Sequence, residues 1–585
     1  MSLGAAASGW SAGGAPGAPR RWGTAALLLG VGGLTAAAAA LARGSPVVAA
    51  VPVLLAGLAF VVCTVPLRWS VTGLMFLSLT LDLSSDAMGK WHSPLAVLGD
   101  LLRENLDKVF PGSGLKLSGL ETATLLLYGV ALWRRAVGDD KDTRGQEQTA
   151  GVLRGACLVY LAGLAYAVAV GLATGGVMKF AIVQVRPLLM VPALYLLFHL
   201  AYRGQRDHET LGRLVIAAAC VKAVLAAWVD RFVAPFAMMR KWEYSTNHGD
   251  SILFAVAILI LVTGVLERPD RRRLARAALF LPVIAWGVYH NHRRLAYVDM
   301  VIAGMAIYAI SPWAGWKRKV TFATVVAAPV LALYLAVGWA NPGSAVFAPV
   351  RMLRTVSDAK VDRSTLYREV ENYNLVRSIE EAPVLGRGFG HPFSEYIVGD
   401  SIARIFELYA YEPHNAVLGL LLYGGLFGFT CMWSIFAVGI LLAVRAFRRA
   451  AVPEDRSAAL VAMSALIVCA VQTWGDHGQF YQQWGIFMAM ALVVAGKLAV
   501  RTGAWPRGRG PALAAEPAVP GEGWLARQQA RLAISGRAPA AGPQALALPR
   551  PPQRSAATPA GVPVGRLATP LPFAPASPPA PEEEP

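Results

Sequence analysis

Charged residues are scarce in this 585-residue chain, because Asp, Glu, Lys and Arg together make up only 15% of it. Soluble globular domains carry about 25%. Apolar runs of about 18 residues or more recur along most of the length, and such runs are typical of helices that cross a membrane. No segment reads as a soluble enzyme domain. The composition therefore excludes an ordinary soluble protein and predicts an all-α, polytopic membrane helix bundle.

Cysteine is also rare, and all five cysteines lie within apolar runs: Cys63, Cys157, Cys220, Cys431 and Cys469. None has CxxC spacing, so neither a disulfide framework nor a zinc site is supported. The segments predicted to face outward contain no Asp-x-Asp or other metal-ligand cluster. We therefore expect no metal and no other cofactor.

The net charge of +18 could suggest binding to nucleic acid. Most of the excess lies instead in short loops between apolar runs, where Lys and Arg set the orientation of a membrane protein. The basic loops alternate along the chain, which places both termini in the cytoplasm and requires an even number of spans. We expect no nucleic-acid partner.

The apolar runs predict about fourteen spans, at 22–42, 46–66, 69–83, 119–133, 152–172, 180–201, 212–230, 251–266, 274–290, 295–311, 319–340, 413–445, 457–474 and 481–500. This divides the chain into a cytoplasmic N-terminus (1–21), a first set of transmembrane helices (22–340), an outward loop (341–412), a second set (413–500) and a tail (501–585). The tail is rich in Pro, Ala, Gly and Arg, a composition that predicts a disordered cytoplasmic segment.

Two arginines are exceptions to the rule that Lys and Arg concentrate in cytoplasmic loops. Arg293 and Arg294, within "YHNHRRLAY", lie between two spans on the side predicted to face outward. They could simply snorkel to the interface, or they could form an anion site, since the planar guanidinium binds phosphate in a bidentate way. Arg186 favours the second interpretation, because an arginine inside a span usually faces a cavity or a partner.

Two further polar positions leave alternatives open. Lys222 lies within a span and either pairs with an acid on a neighbouring helix, Asp299 or Glu121 for example, or lines a substrate path. The segment "YSTNHGDSILF", which contains His248, is either a capped helix start or part of an outward polar site.

One long stretch carries a recognisable order of motifs. It contains Arg368, then Pro383 and "GRGFG" at 386–390, then His414-Asn415 before a span, then a glycine pair at 424–425. In order, spacing and membrane placement this stretch resembles the O-antigen ligase and polysaccharide polymerase superfamily of bacterial inner-membrane glycosyltransferases. The resemblance extends over roughly 180–445, where "NHRRLAYV" and Arg186 match further basic positions. In an outward loop, "GRGFG" more readily makes a turn that folds the loop over a site than a dinucleotide fingerprint.

The resemblance implies an activity and a set of site residues. Members of the family move a glycan from a polyprenyl (undecaprenyl) pyrophosphate carrier to an acceptor hydroxyl on the periplasmic face of the inner membrane. His414 would be the general base, and Asn415 would orient the base or the sugar. The pyrophosphate would be bound by Arg186, Arg368 and one of the pair at 293–294, with Arg294 the better match. The transfer is expected to be metal-independent.

The sequence does not distinguish between possible acceptors. A ligase would use lipid A core, and a polymerase would use a second carrier-linked glycan as the acceptor for the growing chain. A polysaccharide transporter or flippase is a more distant alternative, because buried Arg and Lys also mark substrate paths. The expected partners are thus a carrier-linked glycan donor, one of these acceptors, and membrane lipids.

Overall fold

The structure is a computed structural model. It describes residues 64–81, 96–109, 116–136, 146–233, 246–291, 293–341, 343–347, 350, 354, 363–398 and 408–506. The predicted N-terminus at 1–21, the span at 22–42, nearly all of the span at 46–66 and the tail beyond 506 lie outside these residues.

The described residues form a helical protein without β-strands, and the prediction of an all-α membrane bundle is confirmed. In chain order the helices are α1 Leu67–Thr80, α2 Ala96–Arg103, α3 Leu106–Val109, α4 Gly119–Ala136, α5 Gly151–Ala173, α6 Met178–Ala201, α7 Gln205–Trp228, α8 Gly249–Glu267, α9 Arg271–Asn291, α10 Arg294–Ile310, α11 Gly315–Ala340, α12 Arg363–Glu380, α13 Ala416–Arg449, α14 Pro453–Gly475 and α15 Gln482–Arg501.

Each of the twelve predicted spans that falls on described residues coincides with one of these helices. Eight helices among the described residues are long and apolar enough to cross a membrane: α5, α6, α7 with its π-helical extension Val229–Val233, α8, α11, α13, α14 and α15. The helix α15 lies in the middle of the bundle and packs against α6, α13 and α14, whereas α11 lies at the edge with most of its apolar side chains exposed.

The predicted outward loop contains a helix that hydrophobic periodicity did not indicate. This helix, α12, is too polar to span a membrane, and it packs against α13. One side of α12 is buried and mostly polar, with Glu371, Asn374, Leu375 and Ser378 on it. Asn374 hydrogen-bonds the backbone of residues 396 and 397 and thereby ties the following loop to the helix.

The glycine-rich loop docks against a break in α13. Gly425 has φ 57° and ψ −170°, so the helix kinks there and the carbonyls of the preceding turn lose their helical partners. The backbone N–H of Gly388 donates to the carbonyl of Tyr423 at 2.9 Å, and the N–H of Leu426 donates to the carbonyl of Pro383 at 2.9 Å. The "GRGFG" turn therefore joins α13 to the loop by backbone hydrogen bonds.

Candidate active site

His414 lies directly before α13 and is held by Glu371 of α12. One carboxylate oxygen of Glu371 accepts the backbone N–H of His414 at 3.0 Å, and the other lies 2.9 Å from the ring Nδ1. Glu371 is 3% exposed, while the His414 side chain is 20% exposed. Because a carboxylate on Nδ1 keeps the proton of the neutral ring on that nitrogen, Nε2 becomes the basic nitrogen. Among the described residues, nothing hydrogen-bonds this Nε2.

Asn415 has a local structural role in this arrangement. Its side-chain oxygen accepts the backbone N–H of Leu418 at 3.2 Å, which caps the first turn of α13. The cap fixes the chain immediately after His414. Asn415 thus holds the backbone immediately next to His414.

A second buried carboxylate, Asp476, lies just beyond the end of α14 and is 1% exposed. His248 contacts one of its oxygens, and Arg368 lies 3.9 Å from the other. Burial alone would raise the pKa of Asp476, but the charge and hydrogen bond of His248, with His477 and Arg368 nearby, hold this pKa well below its usual value. Asp476 is therefore an ionised anchor for groups from three different segments.

The His414–Glu371 pair and the cluster around Asp476 meet through a pair of histidines. The rings of His414 and His477 have centroids 4.0 Å apart. Burial lowers the pKa of His477 well below its usual value, and the neighbouring charge of His414 lowers it further. His477 is consequently neutral near neutral pH.

Arg368 lies on the same side of α12 as Glu371, one turn earlier. Its Nη1 donates to the carbonyl of Gly475 at 2.8 Å, in addition to the long contact with Asp476. The side chain is still 40% exposed. A guanidinium carries five N–H donors, so this arrangement orients Arg368 and leaves donors for an anion.

The structure places the two neighbouring arginines differently. A helix break divides α9 from α10, with Arg293 in extended conformation at the break and Arg294 in the first turn of α10. Burial lowers the pKa of His248, and the charge of Arg293 lowers it further, so Arg293 lies within electrostatic range of the cluster around Asp476. Leu295 packs on Gly475 and brings the start of α10 to the same place. The sequence favoured Arg294, whereas the placement favours Arg293.

Arg186 is the predicted site residue that the structure does not bring to this cluster by direct contact. Its guanidinium forms an ion pair with Glu121 of α4 through Nε and Nη2, and Nη1 donates to Asn105 at 2.7 Å. The pair joins α6 to α4. Glu121 was proposed as a partner for Lys222, and it is instead the partner of Arg186.

Lys222 does pair with an acid on a neighbouring helix, but that acid is Asp250 of α8, at 3.1 Å, with both side chains fully buried. Asp299 is hydrogen-bonded to Gln472. The segment before α8 makes a turn at the helix start and also contributes to the polar cluster. Asn247 accepts the N–H of Gly249 at 2.6 Å, which is a helix-start turn, and His248 joins the polar cluster.

Glu412 adds a further titratable group two residues before His414. It is 8% exposed, and burial raises its pKa to about 8. The described residues provide no ion pair for it. Near neutral pH this carboxyl is therefore largely protonated.

Four residues of the cluster were missed by sequence reasoning: Glu371, Glu412, Asp476 and His477. A signal existed for two of them, because "GDHG" directly follows the predicted span at 457–474 on the outward side. A carboxylate three residues after Arg368 was also available as a partner on the same face of a helix. Neither pattern indicates which residues contact these side chains, because the partners come from distant parts of the chain.

The comparisons with known proteins give a family match that includes part of this site. A family model described as O-antigen ligase matches residues 278–433, which contain Arg293, Arg294, Arg368, Glu371 and His414. No curated protein matches the sequence. The match identifies a multi-pass membrane protein of polysaccharide biosynthesis with glycosyltransferase-type activity, whose substrates are glycans and lipid-linked molecules. Residues 278–433 carry an O-antigen ligase domain, which supports membership of the O-antigen ligase superfamily.

Proposed function

We propose that this protein transfers a glycan from a polyprenyl pyrophosphate carrier to an acceptor hydroxyl, at a site on the periplasmic side of the bacterial inner membrane. The observation that supports this most is the pair formed by His414 and buried Glu371, one helical turn from Arg368. Such a group of residues combines a base for a hydroxyl with a cation for a phosphate. Both lie within the region matched by the family model.

The chemistry follows from the positions of these groups. The acceptor O–H gives its proton to Nε2 of His414 while the oxygen forms a bond to the anomeric carbon. The bond from that carbon to the pyrophosphate oxygen breaks, and its electron pair remains on the departing polyprenyl pyrophosphate. The imidazolium that forms is stabilised by the carboxylate of Glu371, and it later loses its proton to water.

The developing negative charge requires fixed cations. Arg368 is held by Gly475 and Asp476 with part of its guanidinium exposed, and Arg293 approaches from the start of α10. Preorganised cations that face developing charge are a large source of catalysis. In this account Arg186 contributes by fixing α6 to α4 through its ion pair with Glu121.

Reconstituted transfer tests the proposal. Purified protein in vesicles is given a synthetic polyprenyl-pyrophosphate glycan and either lipid A core or a second carrier-linked glycan. Transfer to lipid A core supports the ligase activity that we propose, and transfer to the second carrier indicates a polymerase. Movement of the carrier across the vesicle without new glycosidic bonds would contradict both and indicate a flippase. Unchanged rates after treatment with a chelator are the result expected for metal-independent transfer.

A further inference from the structure

A cavity of about 310 Å³ lies between α7, α8, α14 and α15, away from the residues discussed so far. Its walls are apolar, with Val215, Ile260, Val461 and Met490 among them. The lining from α14 extends from Glu454 to Ala465, which is about 16 Å at 1.5 Å per residue. The cavity is thus a narrow apolar cleft that follows the helices.

The mouth of this cleft is charged. It is formed by the N-terminal parts of α7, α9 and α14 and contains three arginines, two of which are paired. Arg273 lies 2.5 Å from Glu454, and Arg213 lies 3.1 Å from Glu209. Arg276 is exposed and has no carboxylate within ion-pair distance among the residues that the structure describes. It therefore provides an available cation at the entrance of an apolar cleft.

The cleft is separate from the candidate active site. Glu454 at its mouth lies in the first turn of α14, whereas Asp476 follows the last residue of the same helix. The 23 residues of α14 span about 34 Å. A ligand at this mouth would be on the predicted cytoplasmic side, at the opposite end of the bundle from His414.

An apolar cleft with a cation at its mouth fits an amphiphile with a negatively charged head. We propose that the cleft binds one acyl chain of an anionic phospholipid of the cytoplasmic leaflet, with the headgroup phosphate on Arg276. Basic pockets between transmembrane helices on this side of a membrane bind anionic headgroups. The mostly exposed run Arg271–Arg273 begins the same helix as Arg276, and Arg272 of this run is not part of the cleft lining. This inference does not depend on glycan transfer.

The chain offers matched variants for a test. Gly212 lines the cleft, and an added Cβ there would meet only Ile260, at 3.7 Å, so Gly212→Leu fills the space without a backbone clash. Gly304 lies on the exposed side of α10, where an added Cβ would have no neighbouring atom within 4 Å outside its own helix backbone. Gly304→Leu is therefore the control. Arg276→Gln removes the cation, and Arg272→Gln is the control from the same exposed run.

Native mass spectrometry of the full chain in detergent measures the binding of phosphatidylglycerol and phosphatidylcholine. We expect wild type and both controls to keep one phosphatidylglycerol and to prefer it to phosphatidylcholine. Arg276→Gln should lose about tenfold in affinity for phosphatidylglycerol, the loss expected for one charged hydrogen bond, and Gly212→Leu should lose the bound lipid.

Three results would overturn the proposal. They are wild-type binding by Gly212→Leu, an unchanged lipid preference in Arg276→Gln, and a wild-type protein without bound lipid, as would occur if another part of the chain filled the cleft. Arg276 is exposed, so its substitution decides the question even if Gly212→Leu does not fold.

Discussion

Glu371 binds His414 twice, once at the backbone N–H and once at the ring Nδ1, and it does so from a helix whose preceding turn carries Arg368. The two hydrogen bonds fix both the position of the histidine and the nitrogen that carries its proton. Because Arg368 and Glu371 share one rigid helix, the proposed phosphate ligand and the proposed base are held at a constant separation. This coupling is the reason to expect both groups to act on one substrate.

The two neighbouring arginines can be distinguished by conservative substitution. We expect Arg293→Lys to lower the transfer rate at least tenfold, because a point ammonium does not reproduce a bidentate guanidinium. Arg294→Lys is the matched control and should stay within about threefold of wild type. The measurement is transfer rate and donor affinity at equal expression. The opposite pattern would return the role to Arg294, and full activity of both variants would leave the pair as interfacial anchors.

Glu412 should make the stability of the protein depend on pH. Its folded pKa is raised to about 8 from an ordinary value of 4.5, so the folded state favours the protonated form. The contribution to stability is complete below about pH 4.5 and is lost as pH rises toward 8. Glu412→Gln cannot ionise, so its melting temperature in detergent should fall less than that of wild type between pH 5 and pH 8. Parallel curves would mean that Glu412 is ionised throughout.

The glycine-rich turn should be intolerant of side chains. Gly388 has φ 80°, and an added Cβ would lie 2.0 Å from the backbone nitrogen of Gly171. Gly388→Ala should destabilise the protein by at least about 1–2 kcal/mol from the left-handed conformation alone. Gly304→Ala, in an open helical position, should be neutral or slightly stabilising. Equal melting temperatures for the two variants would show that the turn is not packed as described.

The orientation in the membrane can be tested with single added cysteines. Val398 is 77% exposed in the segment after α12, and Val452 is 40% exposed between α13 and α14. We expect an impermeant maleimide to label Val398→Cys in intact spheroplasts and Val452→Cys only after permeabilisation. The unmodified chain measures the background from the five native cysteines, of which Cys157 and Cys469 are buried and Cys220 and Cys431 are partly buried. Protection of Val398→Cys with labelling of Val452→Cys would reverse the orientation.

Much of the bundle could be predicted because apolar runs report burial in lipid directly. The break at 291–294 was predicted in this way, and the order of motifs predicted His414, Arg368 and, of the arginine pair, Arg294 as site residues. The partners of these residues could not be predicted. Lys222 pairs with Asp250 and Arg186 pairs with Glu121 through helix packing, which leaves no trace in spacing along the chain.

The polar helix α12 could not be predicted from the sequence either. Its apolar periodicity is weak because the buried side carries Glu371, Asn374 and Ser378, whose hydrogen bonds form only in the folded protein. Burial of polar groups is acceptable when each finds a partner. A pattern of hydrophobic residues therefore underestimates the order of a loop that is held by hydrogen bonds.

The most direct test of the account is single-turnover transfer by His414→Ala and Glu371→Gln in vesicles, with donor affinity measured on the same preparations. His414→Ala should lose roughly 10²–10⁴-fold in rate, the usual contribution of a general base, and Glu371→Gln should lose at least tenfold. Donor affinity should stay within about twofold of wild type, because the carrier is held by arginines. Transfer by His414→Ala at the wild-type rate would contradict the account.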